Sequence, residues 1–246
     1  MHGHDAQAKK ISPHLKTWKE KKMLPMDNNR RDFLKAASVT LAGGLLASRA
    51  SLASAAFLAS AETKILTGEP LDPTEIHHLE FIREEEKLAR DVYTVLAKEW
   101  GNPIFSLIIE SEQRHMDAML KLLDYYGIED PVQDDGVGLF TDSSIFDLYT
   151  MLTEWGLKSE NDALLVGAYI EEYDILDIWK AVDDTNVVHI DEVYTNLYEG
   201  SYNHLRGYVY NWEKNTGRIY EPELLSLDQF NLCMGFDTQA KQKQNG

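Results

Sequence analysis

Glu112-x-x-His115 sets a carboxylate and an imidazole three residues apart. On a helix that spacing puts both on one face, where they can reach the same metal ion. The motif belongs to a doubled pattern. Glu85-Glu86, with Asp91 and Tyr93 five and seven residues after the second Glu, lines up with Glu171-Glu172, Asp177 and Trp179. Ser111-Glu112-Gln113-Arg114-His115 lines up with Gly200-Ser201-Tyr202-Asn203-His204. The offset is 86 residues from Glu86 to Glu172 and 89 from His115 to His204. A doubled helical hairpin that turns Glu and His inward is how a four-helix bundle builds a metal site in its core.

The candidate ligands are Glu86, Glu112, His115, Glu172 and His204. Taken singly, each has a plainer reading. A Glu within an apolar stripe is more often a helix–helix salt bridge, and Arg83, Arg90, Arg114 and Arg206 could supply the partner. A lone inward His is more often a satisfied core residue. Together they read differently, because buried carboxylates are costly unless paired or metal-bound. Three in an apolar core repel one another, and a divalent cation offsets that directly.

The elements that must position these residues are helices. Asp72-Pro73-Thr74-Glu75 is a helix start, with a capping residue, Pro in the first turn and an acid behind it. The first helix is expected from Pro73 to Glu99, with Leu79, Ile82, Ala89, Tyr93 and Leu96 as its apolar line and Glu86 in the gap. A second follows from Ile104 to Tyr126, with Phe105, Ile108, Met119 and Leu122 in line with Glu112 and His115. After an acidic, Gly-containing loop, a shorter helix from Ser143 to Trp155 belongs to a crossover connection. The third long helix runs from Ser159 or Asn161 to Asp183, and the fourth from Ile190 to Lys214 with Ser201 and His204 in its stripe. A segment from Tyr220 to Phe236 packs on the rest. No run alternates like a strand, so the fold class is all-α: two helical hairpins joined by the crossover.

These motifs resemble the ferritin-like superfamily of ferritins, bacterioferritins and rubrerythrins. That family carries Glu on helices one and three and Glu-x-x-His on helices two and four. Glu86 with Tyr93, Glu112 with His115, Glu172 with Trp179, and His204 take the corresponding places. More narrowly, Glu84 to Tyr93, Ser111 to Ala118 and Asn203 to Arg206 resemble an uncharacterised ferritin-like branch catalogued as a domain of unknown function. The resemblance spans roughly residues 75–230 and implies iron or manganese, one or two ions per chain, with zinc as an intruder. It implies metal-dependent oxidoreduction: peroxide or oxygen reduction, or ferrous oxidation. One departure stands out: the fourth-helix Glu of the superfamily falls at Ser201. Glu171 and Asp174, three apart on the third long helix, and Glu85 are substitute donors. A non-catalytic metal-handling protein and a metal-free helical scaffold are the alternatives. Mineral storage would need a homo-oligomeric cage, and the sequence carries no reliable assembly signal. No electron donor is legible either, since the single Cys233 excludes a Cys-rich iron–sulfur domain and any intrachain disulfide.

Residues 1–55 read as a leader and signal peptide. Asn29-Arg30-Arg31-Asp32-Phe33-Leu34-Lys35 resembles the twin-arginine export motif, followed by the apolar stretch Ala36 to Ala47 and the small-residue pattern Ala53-Ser54-Ala55. The expected partner is the twin-arginine export machinery, and the expected location the periplasm or another exported compartment. Residues 56–73 form a linker, 74–236 the domain and 237–246 a flexible tail. Of 24 Lys+Arg and 41 Asp+Glu, the leader holds 10 and 4, leaving 14 basic and 37 acidic residues after it. So acidic a protein repels nucleic acid and anionic lipid and attracts cations. No apolar run reaches the ~18–20 residues of a transmembrane helix.

Overall fold

A computed structural model describes residues 70–236. The leader, most of the linker and the tail lie outside the described residues. Within them the chain is all-α, with six helices and no strand. They are α1 (Pro73–Trp100), α2 (Pro103–Tyr126), α3 (Ser143–Gly156), α4 (Glu160–Asp184), α5 (Val188–Thr216) and α6 (Leu227–Cys233). None is long and apolar enough to cross a membrane.

Local chemistry sets the boundaries. The Asp72 side chain accepts from the Thr74 and Glu75 amides while Glu75 reaches back to the Asp72 amide, a reciprocal cap ahead of Pro73. Asn102 caps α2 through the Ile104 amide, Asp142 caps α3 and Ser159 caps α4. Gly101 and Gly127 close α1 and α2 in the left-handed region, at φ 63° and 66°.

The four long helices each pack on two others: α1 on α2 and α4, and α5 on α4 and α2. Helix α3 lies against α1 and α4. One apolar layer gathers Leu79 and Ile82 from the start of α1, Met119, Leu122 and Leu123 from the end of α2, Ile178 from late α4, and Ile190, Tyr194 and Leu197 from early α5. A second layer brings together Tyr93, Phe105 and Tyr208, whose ring centroids lie 5.2–6.3 Å apart. In sequence, Glu86 of α1, Glu112 and His115 of α2 and His204 of α5 fall between these layers.

The triplet Glu84-Glu85-Glu86 shows how α1 divides its work. Successive helical residues point about 100° apart. Glu84 accepts from the Thr141 and Asp142 amides, at 2.6 and 2.9 Å, and so holds the entry to α3. Glu85 is buried with its charge acting on Tyr173 of α4. Glu86 turns into the middle of the helices. Around Glu84, α1 pins the connection 127–142: Arg83 binds Asp130, Arg90 binds Asp135, and buried Lys87 donates to Asp91 and to the Gly136 carbonyl.

Candidate metal centre

Two groups of donor atoms converge between the apolar layers. Glu86, Glu112 and His115 form one, and Glu112, Glu171 and His204 the other; within each group the ligand atoms lie within 4.8 Å of one another. Glu112 is common to both. Its Oε2 is 3.0 Å from His115 Nδ1 and its Oε1 is 3.0 Å from His204 Nδ1. His115 Nδ1 is also 3.1 Å from Glu86 Oε2, and His204 Nδ1 is 3.4 Å from Glu171 Oε2. The two imidazoles stack with centroids 5.5 Å apart. Four helices thus contribute: Glu86 from α1, Glu112 and His115 from α2, Glu171 from α4 and His204 from α5.

The donors fit a cation. Glu86, Glu112 and Glu171 are at most 2% exposed. Glu86 Oε1 has no hydrogen-bond partner. Glu112 Oε1 and His204 Nδ1 face each other at 3.0 Å, yet neither has a partner in hydrogen-bond geometry. Unsatisfied buried lone pairs are costly. An ion between them would satisfy these atoms together. All are oxygen or imidazole donors, the set that suits iron, manganese or zinc.

The electrostatics show the strain of the metal-free cluster. Burial pushes Glu86 up to about 7 against the pull of His115. Burial likewise raises Glu171, partly opposed by His204. Burial would raise Glu112 too, but the adjacent imidazoles of His204 and His115 win and hold it low. Burial works against imidazolium at His115 and His204, yet the carboxylates prevail: Glu86 and Glu112 raise His115, and Glu112 and Glu171 bring His204 to about 10. Without metal, protons on the imidazoles offset the carboxylate charge.

Supporting contacts orient these side chains. Tyr93 Oη donates to Glu171 Oε1 at 2.5 Å, joining α1 to α4 beside the second group. Such contacts to a ligand's free atom fix its orientation.

The chain belongs to the DUF2202 family. The match to this uncharacterized protein domain covers residues 75–235. Uncharacterized protein MJ0754 of Methanocaldococcus jannaschii is 44% identical over 174 residues, 71% of this chain and 94% of that protein. The crystal structure of hypothetical protein MJ0754 from Methanococcus jannaschii DSM 2661 aligns with a TM-score of 0.66, covering 68% of this chain and 95% of that one. The DUF2202 match begins within the first turn of α1 and ends just past α6, so every donor named above lies inside it.

The structure brings four of the five sequence-expected ligands together: Glu86, Glu112, His115 and His204. The sequence reading placed Glu172 with them, but the structure places it elsewhere. Its carboxylate accepts from Tyr220 Oη at 2.6 Å and from the amides of Glu223, Leu224 and Leu225 at 2.6–3.1 Å. Glu171 stands in the second group instead. The repeat paired the two Glu-Glu doublets in register, whereas the second Glu of the first doublet and the first Glu of the second face the cluster. That one-residue difference is worth about 100° on a helix. Asp174 accepts from Ser201 Oγ and lies outside both groups, as does Glu85. The segment after α5, which receives Glu172, carried no readable signal for that contact. The sequence places Tyr220 only at the start of a segment that packs on the rest.

Proposed function

We propose that this DUF2202 protein is an exported, ferritin-like four-helix bundle, formed by α1, α2, α4 and α5, that holds iron or manganese in its core. The observation carrying this reading is Glu112, whose two oxygens serve two donor groups that each contain a further Glu and a His. Glu86, Glu112 and His115 would hold one ion, and Glu112, Glu171 and His204 a second. Iron or manganese held there with open positions supplies redox chemistry toward peroxide, dioxygen or ferrous iron.

The chain's own residues have definable tasks. Glu112 sets the separation of the two groups. Tyr93 holds the Glu171 oxygen that faces away from His204. The apolar layers on either side keep bulk water from the donors, which strengthens every charge interaction among them. Export by the twin-arginine route rests on residues 29–35 and favours insertion of the metal before secretion.

A non-catalytic metal-handling role is the second reading, and Ser201 favours it: the position three before His204 offers a hydroxyl where Glu112 offers a carboxylate. Peroxide turnover by the loaded protein separates the two. The first experiment is elemental analysis of the exported protein beside Glu112→Ala/His204→Ala. One or two iron or manganese per chain, lost in the variant, supports the core site. No stoichiometric metal in either, with equal melting temperatures, would sink it and leave the helical scaffold.

A further inference from the structure

We propose that Gly200 on α5 is a positioning residue for the Glu86/Glu112/His115 group, a role that rests on the metal reading above. Glycine is a poor residue for a helix interior, yet Gly200 sits in the middle of α5. The structure supplies the reason. A Cβ at position 200 would lie 2.6 Å from His115 Nε2 and 2.8 Å from its Cε1. Retreat of the imidazole would break the contacts that hold it. Its Nδ1 is held 3.1 Å from Glu86 Oε2 and 3.0 Å from Glu112 Oε2, and its face stacks on His204. The bare Cα of Gly200 therefore backs the ring and seats Nδ1 among the carboxylates. The Glu112/Glu171/His204 group has no such contact with Gly200. A single methyl at position 200 should disable one group and spare the other.

The control lies on the same helix. A Cβ at Gly207 would meet only the Ile104 side chain, Cδ1 at 3.1 Å, which can turn aside. Wild type, Gly200→Ala, Gly207→Ala, His115→Ala and His115→Ala/Gly200→Ala are loaded with manganese(II) alone, desalted and analysed for bound metal. Metal-free crystal structures of wild type and Gly200→Ala are compared in parallel. The expected result is two ions in wild type and Gly207→Ala, and one in Gly200→Ala, with the His115 imidazole displaced from Glu86. In the His115→Ala background, Gly200→Ala should remove nothing further, because its effect passes through that ring. Full loading of Gly200→Ala overturns the proposal, as does an added loss in the double variant. If wild type takes up fewer than two ions, the paired-ion reading fails on its own. The metal-free structures still decide the role of Gly200, and an unmoved His115 in Gly200→Ala overturns it.

Discussion

Ser201 on α5 donates a 2.6 Å hydrogen bond to the carboxyl of Asp174 on α4. Ser201 stands to His204 as Glu112 stands to His115, so the repeat calls for a carboxylate at this point. The fold brings one there from the neighbouring helix. Burial holds the Asp174 carboxyl well above the usual range, and nearby Glu86 and Glu171 push it further. Ser201→Ala removes that donor while creating little space. It should cost about 1–3 kcal/mol, the range for orphaning a buried polar group. The check is a lower urea midpoint at unchanged slope. An unchanged midpoint would mean that the contact contributes nothing to folding.

Glu171 and Glu172 are adjacent, yet their substitution should give opposite phenotypes. Glu171→Gln removes a charged donor of the second group while keeping an acceptor for Tyr93 Oη, and should lower bound metal with the fold and melting temperature of the metal-free protein largely kept. Glu172→Ala leaves the Tyr220 hydroxyl and three amides of residues 223–225 without their acceptor. Hydrogen bonds to a charged acceptor are the stronger kind, and the loss should reach roughly 3 kcal/mol. Hydrogen exchange should quicken across residues 220–233 while metal content stays at the wild-type level. The reverse pattern would restore Glu172 as the ligand.

How much of this was written in the residues follows from the physics of each feature. Helix ends depend on local signals such as Asp72-Pro73, Gly101 and Gly127, so sequence and structure agree to within a residue or two at most boundaries. Glu112 and His115 were legible because i, i+3 spacing within one helix needs no tertiary knowledge. The choice between Glu171 and Glu172 was not legible. It turns on the rotation of α4 against its neighbours, and on whether Tyr220 and the 223–225 amides arrive to take one carboxylate. Gly200 carried no signal either, since the imidazole it admits comes from another helix 85 residues earlier.

Lys87 is fully buried, with Nζ 2.6 Å from Asp91, 2.7 Å from the Gly136 carbonyl and 4.5 Å above the Phe140 ring. It ties the 127–142 connection to α1 directly beside Glu86. Breaking a buried pair costs about 3–5 kcal/mol because the other charge is stranded. Arg90 still holds Asp91 at 2.7 Å, so Lys87→Ala should fall near the lower end of that range. Proteolysis within residues 129–141 should accelerate. Lys87→Met keeps the apolar stem and should recover part of the loss. Equal losses in the two variants would assign the whole effect to charge.

The metal-free protein should lose stability as pH rises. Glu86 is raised to about 7 by burial, Glu171 and Asp174 are raised, and His204 reaches about 10 with His115 also raised. Each of these groups holds its proton more tightly folded than unfolded; within the cluster Glu112 runs the other way, and outside it so do His78, Asp142 and Asp184. The folded state therefore binds more protons, and stability falls with increasing pH. For His204 the contribution is complete below its ordinary 6.5 and is lost as pH climbs through about 10. A metal ion takes the place of those protons, so its binding releases them and strengthens with pH. Chelator-treated protein should show a melting temperature that declines from pH 6.5 to 10, with a shallower decline in His204→Ala. Metal-loaded protein should hold level over that window. At a free-metal concentration of 100 times Kd it should gain about 2.7 kcal/mol. Identical slopes in wild type and His204→Ala would show that the imidazole carries no linked proton. Identical slopes with and without metal would show that the ion does not occupy these groups.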